Sequence, residues 1–85
     1  SIAMETNKLL KIKEDLELAC FDLVSLKTYI KSVGKKKAPS QVDSLTRNLF
    51  HYCSMYQNLE GLKYLVKKYG TGYLTQPDKN GTTCA

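Results

Sequence analysis

The apolar positions of the chain recur at the same helical spacing in two separate stretches. One stretch follows Asp22 and ends at Gly34, and the other follows Asn58 and ends at Gly70, 36 positions further along. In both, apolar residues stand at offsets of 0, 3, 6, 7 and 10, which is the period of an amphipathic helix. Asp or Asn can cap the start of a helix, and Gly commonly ends one. The pattern therefore predicts two related helices.

Two further helices are predicted before and between these stretches. Helical spacing predicts one from Glu5 to about Cys20, and Asn48 is a suitable cap for a short helix from Leu49 to Tyr56. The apolar positions of the first are Leu9, Ile12, Leu16 and Ala19. Between Gly34 and Asp43, three lysines and a Pro-Ser pair favour an exposed loop. Asp78-Lys-Asn-Gly81 predicts a turn.

A helix pair with a single apolar stripe cannot cover its own apolar face, so a repeat of this length is typical of stacked arrays. The sequence therefore predicts an all-α fold in which helix-turn-helix repeats stack as a short solenoid. Residues 1–3 precede Met4 and are interpreted as a cloning remnant. The remainder, residues 4–85, is assigned to a first repeat at about 5–34, a basic loop at 35–42, a second repeat at about 43–77 and the start of a third at 78–85.

The second repeat carries the residues of a known pattern at the expected spacing. Asp43 precedes a turn, Phe50 and His51 lie in the helix that follows, and Asn58-Leu59-Glu60 begins the next helix. Further matching positions are Cys53, Ser54, Leu62 and Gly70, with Asp78, Gly81 and Thr83 opening a third unit in register. From Leu16 to Ala85 the chain thereby resembles the ankyrin repeat family. The resemblance implies ankyrin-type repeats that bind another protein. The residues themselves predict no catalysis, cofactor or metal site, because His51 and Cys53 do not share a helix face and no Cys-x-x-Cys or His-x-x-x-His pair is present.

Several residues depart from the family pattern. Thr46 stands where the family has a Gly in the turn, and Gln57 stands where it has a Gly between the helices. Both replacements are unfavourable wherever φ is positive, Thr46 especially because it is β-branched. Asn48 replaces Thr as the cap, and Leu49 replaces Pro at the first helical position. For His51 the resemblance implies a structural ring that bonds to neighbouring backbone.

Ankyrin-like proteins bind their partners through the tips of the turns and the exposed side of the first helix of each pair. Carried over by position, the resemblance implies a partner-binding surface with three parts. The first turn contributes Ser44, Leu45 and Arg47, the second turn Lys79, Asn80 and Thr82, and the short helix Tyr52, Met55 and Tyr56. For Met55 and Tyr56 the alternative is packing against an adjacent repeat.

The lysines suggest a second class of function. A net charge of +5 permits attraction to nucleic acid, acidic protein or anionic lipid. Stacking is predicted to align lysines of both repeats into a basic patch on the outer face, beside the loop at 35–37. These lysines are Lys27, Lys31, Lys63 and Lys67. A solvated helix face is the simpler interpretation. Arg occurs once, which disfavours nucleic acid, since bidentate contacts prefer Arg and stacking needs exposed aromatics.

The cysteines and the hydropathy pattern suggest a compartment. Three cysteines without tight spacing favour free thiols in a reducing environment, with Cys20 and Cys53 acting as small buried hydrophobes. No apolar run approaches the roughly 18 residues that a membrane-spanning helix needs, and no secretory signal pattern is present. An intracellular protein of the cytoplasm or nucleus is predicted, or one that enters a host cell if it is a secreted pathogen effector.

The third repeat stops where its helix should begin, although stacked arrays generally need about three repeats. The sequence therefore predicts the N-terminal part of a longer protein, and a catalytic domain beyond Ala85 remains a third class of function. If residues 1–85 act alone, one face of the second repeat should stay partly uncovered and support self-association. The residues of that face are Leu49, Phe50, Leu62 and Val66.

Overall fold

The computed structural model describes residues 2–84, with side chains from residue 3 onward, and this part of the chain is helical without strands. The all-α prediction is therefore confirmed for these residues. The four helices are α1 (Ile2–Ala19), α2 (Leu23–Val33), α3 (Leu49–Met55) and α4 (Leu59–Tyr69). Two short 3₁₀ turns, Ala38–Ser40 and Gly72–Thr75, follow α2 and α4.

Helices α2 and α4 begin and end in the same way, as their sequences predict. The side chains of Asp22 and Asn58 each accept a hydrogen bond from the backbone N–H three residues further on. Gly34 and Gly70 end the helices with φ of 112° and 86°, values that favour glycine. Their N–H groups donate back into the last turn at 2.8 and 2.7 Å.

The four helices form two hairpins that pack side by side. Helix α1 packs against α2, and α3 packs against α4. The hairpins meet through α1 against α3 and through α2 against α4, so the segments beginning at Leu23 and Leu59 are neighbours in space. One core extends through both hairpins. Its buried apolar residues are Leu16, Ala19, Cys20, Leu26, Ile30, Ala38, Leu49, Phe50, Tyr52, Cys53 and Leu65.

Two stretches are more ordered than the sequence alone indicated. Helix α1 already includes residues 2 and 3, which were interpreted as a remnant before the domain. The basic loop is also only partly exposed, because Ala38 and Pro39 are buried while the three lysines before them face solvent. The Ala38 N–H donates to the carbonyl of Gly34 at 2.9 Å, which turns the loop back onto the core.

Two of the four residues predicted to form an uncovered face are buried in the structure. Leu49 and Phe50 are fully buried, so the prediction is wrong for both. The reason is the segment after α4, where the ring of Tyr73 stacks on Phe50 with centroids 5.2 Å apart. Leu62 and Val66, on α4, are only half-buried.

The thiols of Cys20 and Cys53 lie inside the core as free cysteines. Their sulfur atoms are 3.3 Å apart, with the Cys53 thiol donating. The hydrogen bond with Cys53 and burial both raise the pKa of the Cys20 thiol. Both cysteines thus serve as small core residues, as the sequence indicates, while Cys84 is half-buried. Separately, none of the helices within residues 2–84 has the length and apolar character needed to cross a membrane.

Two residues other than glycine adopt the left-handed backbone region in the described chain. They are Thr46 with φ of 57° and Gln57 with φ of 56°. At these two positions the ankyrin repeat pattern has glycine. A left-handed conformation costs a residue with a Cβ roughly 1–2 kcal/mol, so both turns hold strain that the surrounding contacts offset.

Replacing Gln57 by glycine should stabilise the protein by about 0.5–1 kcal/mol. The strain at φ of 56° is relieved, and part of the gain is lost to the greater freedom of glycine in the unfolded chain. Urea denaturation followed by circular dichroism measures the change. Gln76 is the matched control, because it is also exposed but has φ of −74°, so that Gln76→Gly should destabilise. Equal effects at both positions would contradict the strain argument.

Candidate protein-binding surface

The first turn, residues 43–47, is built around the carboxylate of Asp43. One carboxylate oxygen accepts the N–H groups of Leu45 and Arg47, both at 2.9 Å. The other accepts Arg47 Nε at 2.7 Å and the hydroxyl of Tyr52. The Asp43 side chain is 1% exposed, so this pair is largely shielded from solvent. Four donors on one buried carboxylate fix the turn to helix α3.

The second turn, residues 78–82, repeats the backbone of the first. In both turns the first residue donates its N–H to the carbonyl of the fifth and accepts from the fourth. Asp78 uses one carboxylate oxygen for the N–H groups of Asn80 and Thr82, at 2.8 and 3.0 Å. The two turns are joined by a hydrogen bond from Lys79 N–H to the carbonyl of Leu45, at 2.9 Å. The turns therefore form one continuous ribbon.

His51 connects helix α3 to this ribbon. Its Nδ1 accepts the N–H of Asn48, while the Asn48 side chain accepts the N–H of His51, which closes a capping box at the start of α3. Its Nε2 lies 3.2 Å from the carbonyl of Thr82. The Nε2–H tautomer satisfies both contacts. The backbone bonds implied for this ring by the family resemblance are therefore present.

Two of the predicted partner-binding residues bond to Asp43 through their side chains. Tyr52 is 1% exposed and donates its hydroxyl to Asp43, so the prediction that it contacts a partner is wrong. Arg47 is partly exposed, but its guanidinium is paired with Asp43 and lies 5.3 Å from the centre of the Tyr52 ring. Arg47 consequently stabilises the turn, and its side chain is only partly available. Leu45 is half-buried.

The remaining predicted residues lie at the surface. The exposed members are Ser44, Met55, Tyr56, Lys79, Asn80 and Thr82. Arg47 Nη1 contacts the sulfur of Met55 at 3.7 Å, and the ring of Tyr56 packs edge-on against Tyr52 with centroids 6.1 Å apart. These contacts place the end of α3 beside the first turn. We call the six residues the turn-tip surface.

The predicted basic patch is divided by the packing of α2 and α4. All four lysines are exposed. Lys27 nevertheless lies over the ring of Tyr64, 5.2 Å from its centre, at the contact between the two helices. Lys63 and Lys67 instead line an apolar groove with Leu59, Leu62, Val66 and Leu74. The lysines of the second repeat are therefore neighbours of an apolar surface.

The described residues contain no cluster of His, Cys, Asp or Glu side chains that could hold a metal ion. Comparison of the chain with protein-family models, with curated proteins and with solved structures gives no match. The function is therefore argued from the surface itself.

The Asp43 network should make stability depend on acid pH. Burial opposes ionisation of Asp43, but hydrogen bonds from Tyr52 and Arg47 outweigh it and hold the pKa of this carboxyl below its usual value. A lowered folded-state pKa adds stability above the unfolded pKa of about 3.9, and this stability is lost as the pH falls through the folded pKa. The difference in unfolding free energy between wild type and Asp43→Asn should therefore shrink from pH 6 to pH 3. A difference independent of pH would contradict this.

Proposed function

We propose that this chain is an ankyrin-type repeat module that binds a partner protein and performs no catalysis of its own. The observation that carries the proposal is the turn-tip surface: two hydrogen-bonded turns project beside the exposed end of α3. The turns are fixed from below by buried side chains, so their tips can meet a partner without first becoming ordered. Such preorganisation reduces the entropic cost of binding.

The repeat geometry supports the ankyrin-type assignment. Two helix hairpins stack at a spacing of 36 residues, and each second helix has the same cap and the same terminal glycine. The turn hydrogen bonds recur between Asp43 and Asp78. Positive φ values at Thr46 and Gln57 fall where the family pattern has glycine. The turn hydrogen bonds and the φ values are properties of the backbone, so they support the assignment even where the side chains depart from the pattern.

The side chains of the turn-tip surface suit a protein partner. Met55 and Tyr56 are each 47% exposed, and these residue types are enriched in protein interfaces. Tyr56 is held on one side by Tyr52, which limits the rotamer entropy that it loses on binding. Ser44, Asn80 and Thr82 surround them with polar groups, as at the rim of an interface. The proposed partner therefore contributes an apolar side chain to Met55 and Tyr56 and polar groups to the turns.

A capture experiment with matched variants tests the proposal. The immobilised wild type, a Met55→Ala/Tyr56→Ala/Lys79→Ala variant and a control variant are compared in extracts of the source cells. The control carries Lys11→Ala and Glu14→Ala on α1, two exposed residues that do not line the groove between α1 and Ser44. A partner kept by the wild type and the control, and reduced at least tenfold by the surface variant, is expected. Equal recovery by all three proteins would refute the surface.

The same capture distinguishes the alternative, a basic module that binds nucleic acid or acidic lipid through a lysine patch. The lysines of that patch are Lys27, Lys31, Lys63 and Lys67. Binding to phosphates weakens steeply with added salt, because counterions are released on binding. Capture by the turn-tip surface should change little between about 50 and 200 mM salt, a range over which a ligand making several phosphate contacts loses orders of magnitude in affinity. Nucleic acid in the eluate together with a steep salt dependence would favour the alternative. The observation against it is the Lys27–Tyr64 contact, which occupies one of the four lysines.

A further inference from the structure

Three large apolar side chains of the first hairpin are exposed beside one another, at the turn between α1 and α2. Leu18, Phe21 and Val24 are 70%, 79% and 74% exposed, an unusual degree for neighbouring apolar residues. All three line one groove along α1 and α2. Phe21 also lines an adjoining groove at the turn between α3 and α4. We call the three residues the first-hairpin patch.

Stacking between hairpins does not explain why this patch is apolar. The three residues lie 36 positions before Ser54, Gln57 and Glu60. Gln57 and Glu60 are exposed, although their hairpin has the first hairpin as its preceding neighbour. Ser54 is half-buried, and its hydroxyl donates to the carbonyl of Cys84, in the segment that follows. A preceding hairpin would thus leave these positions uncovered, and the following hairpin is already in place. The apolar side chains of the first repeat therefore stand at positions that stacking leaves exposed on both sides.

The charged residues that line the two grooves containing Phe21 are acidic. Asp15 lines the groove along α1 and α2, and Asp22 and Glu60 line the adjoining one. Between positions 14 and 26 the chain has four acidic residues and no Lys or Arg, although its net charge is +5. The first-hairpin patch is therefore an apolar surface with negative charge beside it, on a protein that is positive as a whole.

The lysines of the chain leave these carboxylates available to a partner. Lys11 pairs with Asp15 at 2.9 Å, but both side chains are partly exposed and such a pair is worth little. The ion pairs between described residues include neither Asp22 nor Glu60. Lys27, the first lysine after the patch, lies over an aromatic ring of α4. A positively charged group of another molecule can therefore pair with these carboxylates at small cost.

From this combination we propose that the first-hairpin patch binds a basic amphipathic segment of another protein. Apolar side chains of the segment cover the patch, as in the binding of amphipathic helices to grooves, and its Lys or Arg side chains pair with Asp15, Asp22 and Glu60. Nucleic acid, anionic lipid and acidic protein are disfavoured here, because like charges oppose each other across an interface. The inference goes beyond the proposed function, since it does not involve the turn-tip surface.

Fluorescence anisotropy with labelled synthetic peptides tests the proposal. The first peptide is a helix of Leu, Ala and Lys with Leu on one face and Lys on the other. The second has Glu in place of every Lys, and the third has the composition of the first in scrambled order. The wild type should bind the first peptide at least tenfold more tightly than either of the others. The net charge of +5 by itself favours the Glu peptide, so this order requires the local negative charge. Absence of binding to the first peptide up to millimolar concentration would overturn the proposal, and so would equal or tighter binding of either other peptide.

An apolar variant locates the binding on the patch. Phe21→Ser/Val24→Ser should weaken binding of the first peptide at least tenfold. Both side chains are at least 74% exposed, so the core is unaffected, and circular dichroism checks the fold. The control is Leu10→Ser, which alters an exposed leucine of α1 outside both grooves and should bind as the wild type does. Equal affinities of the apolar variant and the control would refute the assignment.

A charge-reversal variant tests the carboxylates with a closely matched control. Glu60 and Glu5 are both exposed and both lie in the first turn of a helix, and only Glu60 lines a groove that contains Phe21. Glu60→Lys and Glu5→Lys change the net charge equally. Glu60→Lys should weaken binding of the first peptide about fivefold, and Glu5→Lys should leave it unchanged. Equal effects of the two variants would show that net charge, and not the patch, attracts the peptide.

Two other occupants of the patch give distinct results. If the wild type sediments above the monomer mass and the Phe21→Ser/Val24→Ser variant does not, a second copy covers the patch and the proposal is wrong. If the wild type binds vesicles that contain phosphatidylserine and the same variant does not, a membrane surface covers it and the proposal is equally wrong.

Discussion

Replacing Asp43 by alanine should lower the unfolding free energy by about 3–4 kcal/mol, because it removes one partner of a shielded ion pair and leaves buried donors unpaired. Arg47 loses its counter-charge, and the hydroxyl of Tyr52 loses its acceptor in a site where water has little access. The N–H groups within the first turn lose theirs as well. Urea denaturation at pH 7, followed by circular dichroism, measures the loss.

Asp78 provides the matched control for this substitution. It occupies the same position of the second turn and accepts N–H groups of Asn80 and Thr82, but no side chain. Its replacement by alanine should cost about 1 kcal/mol, as expected for lost backbone hydrogen bonds in a partly exposed turn. If the two substitutions cost the same, the contribution assigned to Arg47 and Tyr52 is wrong. A double-mutant cycle between Asp43 and Arg47 then isolates the energy of their pair.

Replacing Leu65 by alanine should destabilise the protein by about 3 kcal/mol, within the 2–5 kcal/mol range of buried leucine truncations. Leu65 is fully buried on α4, the helix that joins the second hairpin to the first through α2. Its truncation leaves a cavity in the core between helices, and the surrounding side chains fill such cavities only partly. The midpoint of urea unfolding reports the loss.

The control for Leu65 is Leu59 on the same helix. It has the same side chain but is 65% exposed, so that Leu59→Ala should change the unfolding free energy by no more than about 0.5 kcal/mol. Both variants are measured at the same micromolar protein concentration. Similar losses at the two positions would mean that the hairpins do not cover each other.

The two substitutions test different parts of the proposed binding mechanism. Leu65 belongs to the core that keeps the hairpins together, and Asp43 fixes the first turn to that core. Tyr56 depends on both, because its ring packs against Tyr52, which is itself held by Asp43. A partner that binds the turn-tip surface should therefore bind Asp43→Asn less tightly even where the variant remains folded.

The helices and their caps could be predicted from the sequence. Helices α2 and α4 begin and end at the predicted residues, because apolar spacing, an Asp or Asn cap and a terminal Gly all act within one turn of the chain. Helix α3 ends one residue before its predicted end. Helix α1 begins at Ile2, three residues before its predicted start at Glu5, because the apolar spacing that predicted it begins only at Leu9.

The burial of individual side chains was harder to predict, because it depends on residues that are distant in the chain. Tyr52 was assigned to the binding surface from its position on α3, but its hydroxyl is bonded to Asp43. The spacing of Asp43 and Tyr52 in the sequence does not predict this hydrogen bond. The one available signal was a Tyr in the helix that follows a turn beginning with Asp. Phe50 was assigned to an open face, but the segment after α4 returns and places Tyr73 on it.

The exposed apolar surface on the first hairpin was missed for the same reason. Leu18 and Val24 lie outside the apolar spacing of α1 and α2, and Phe21 stands between the two helices, so no pattern predicted that the three side chains share a surface. Only the packing of α1 on α2 leaves all three exposed on one surface. Their exposure depends on how the helices pack, which requires coordinates.

By itself the sequence determined where the helices of this protein lie, how α2 and α4 are capped and that the unit repeats after 36 residues, because periodicity and capping are properties of neighbouring residues. The tertiary structure alone decided which apolar side chains are covered, which polar groups satisfy the buried carboxylate of Asp43 and which residues remain for a partner. Those outcomes depend on how the hairpins stack, and stacking brings together side chains that are 30 or more positions apart.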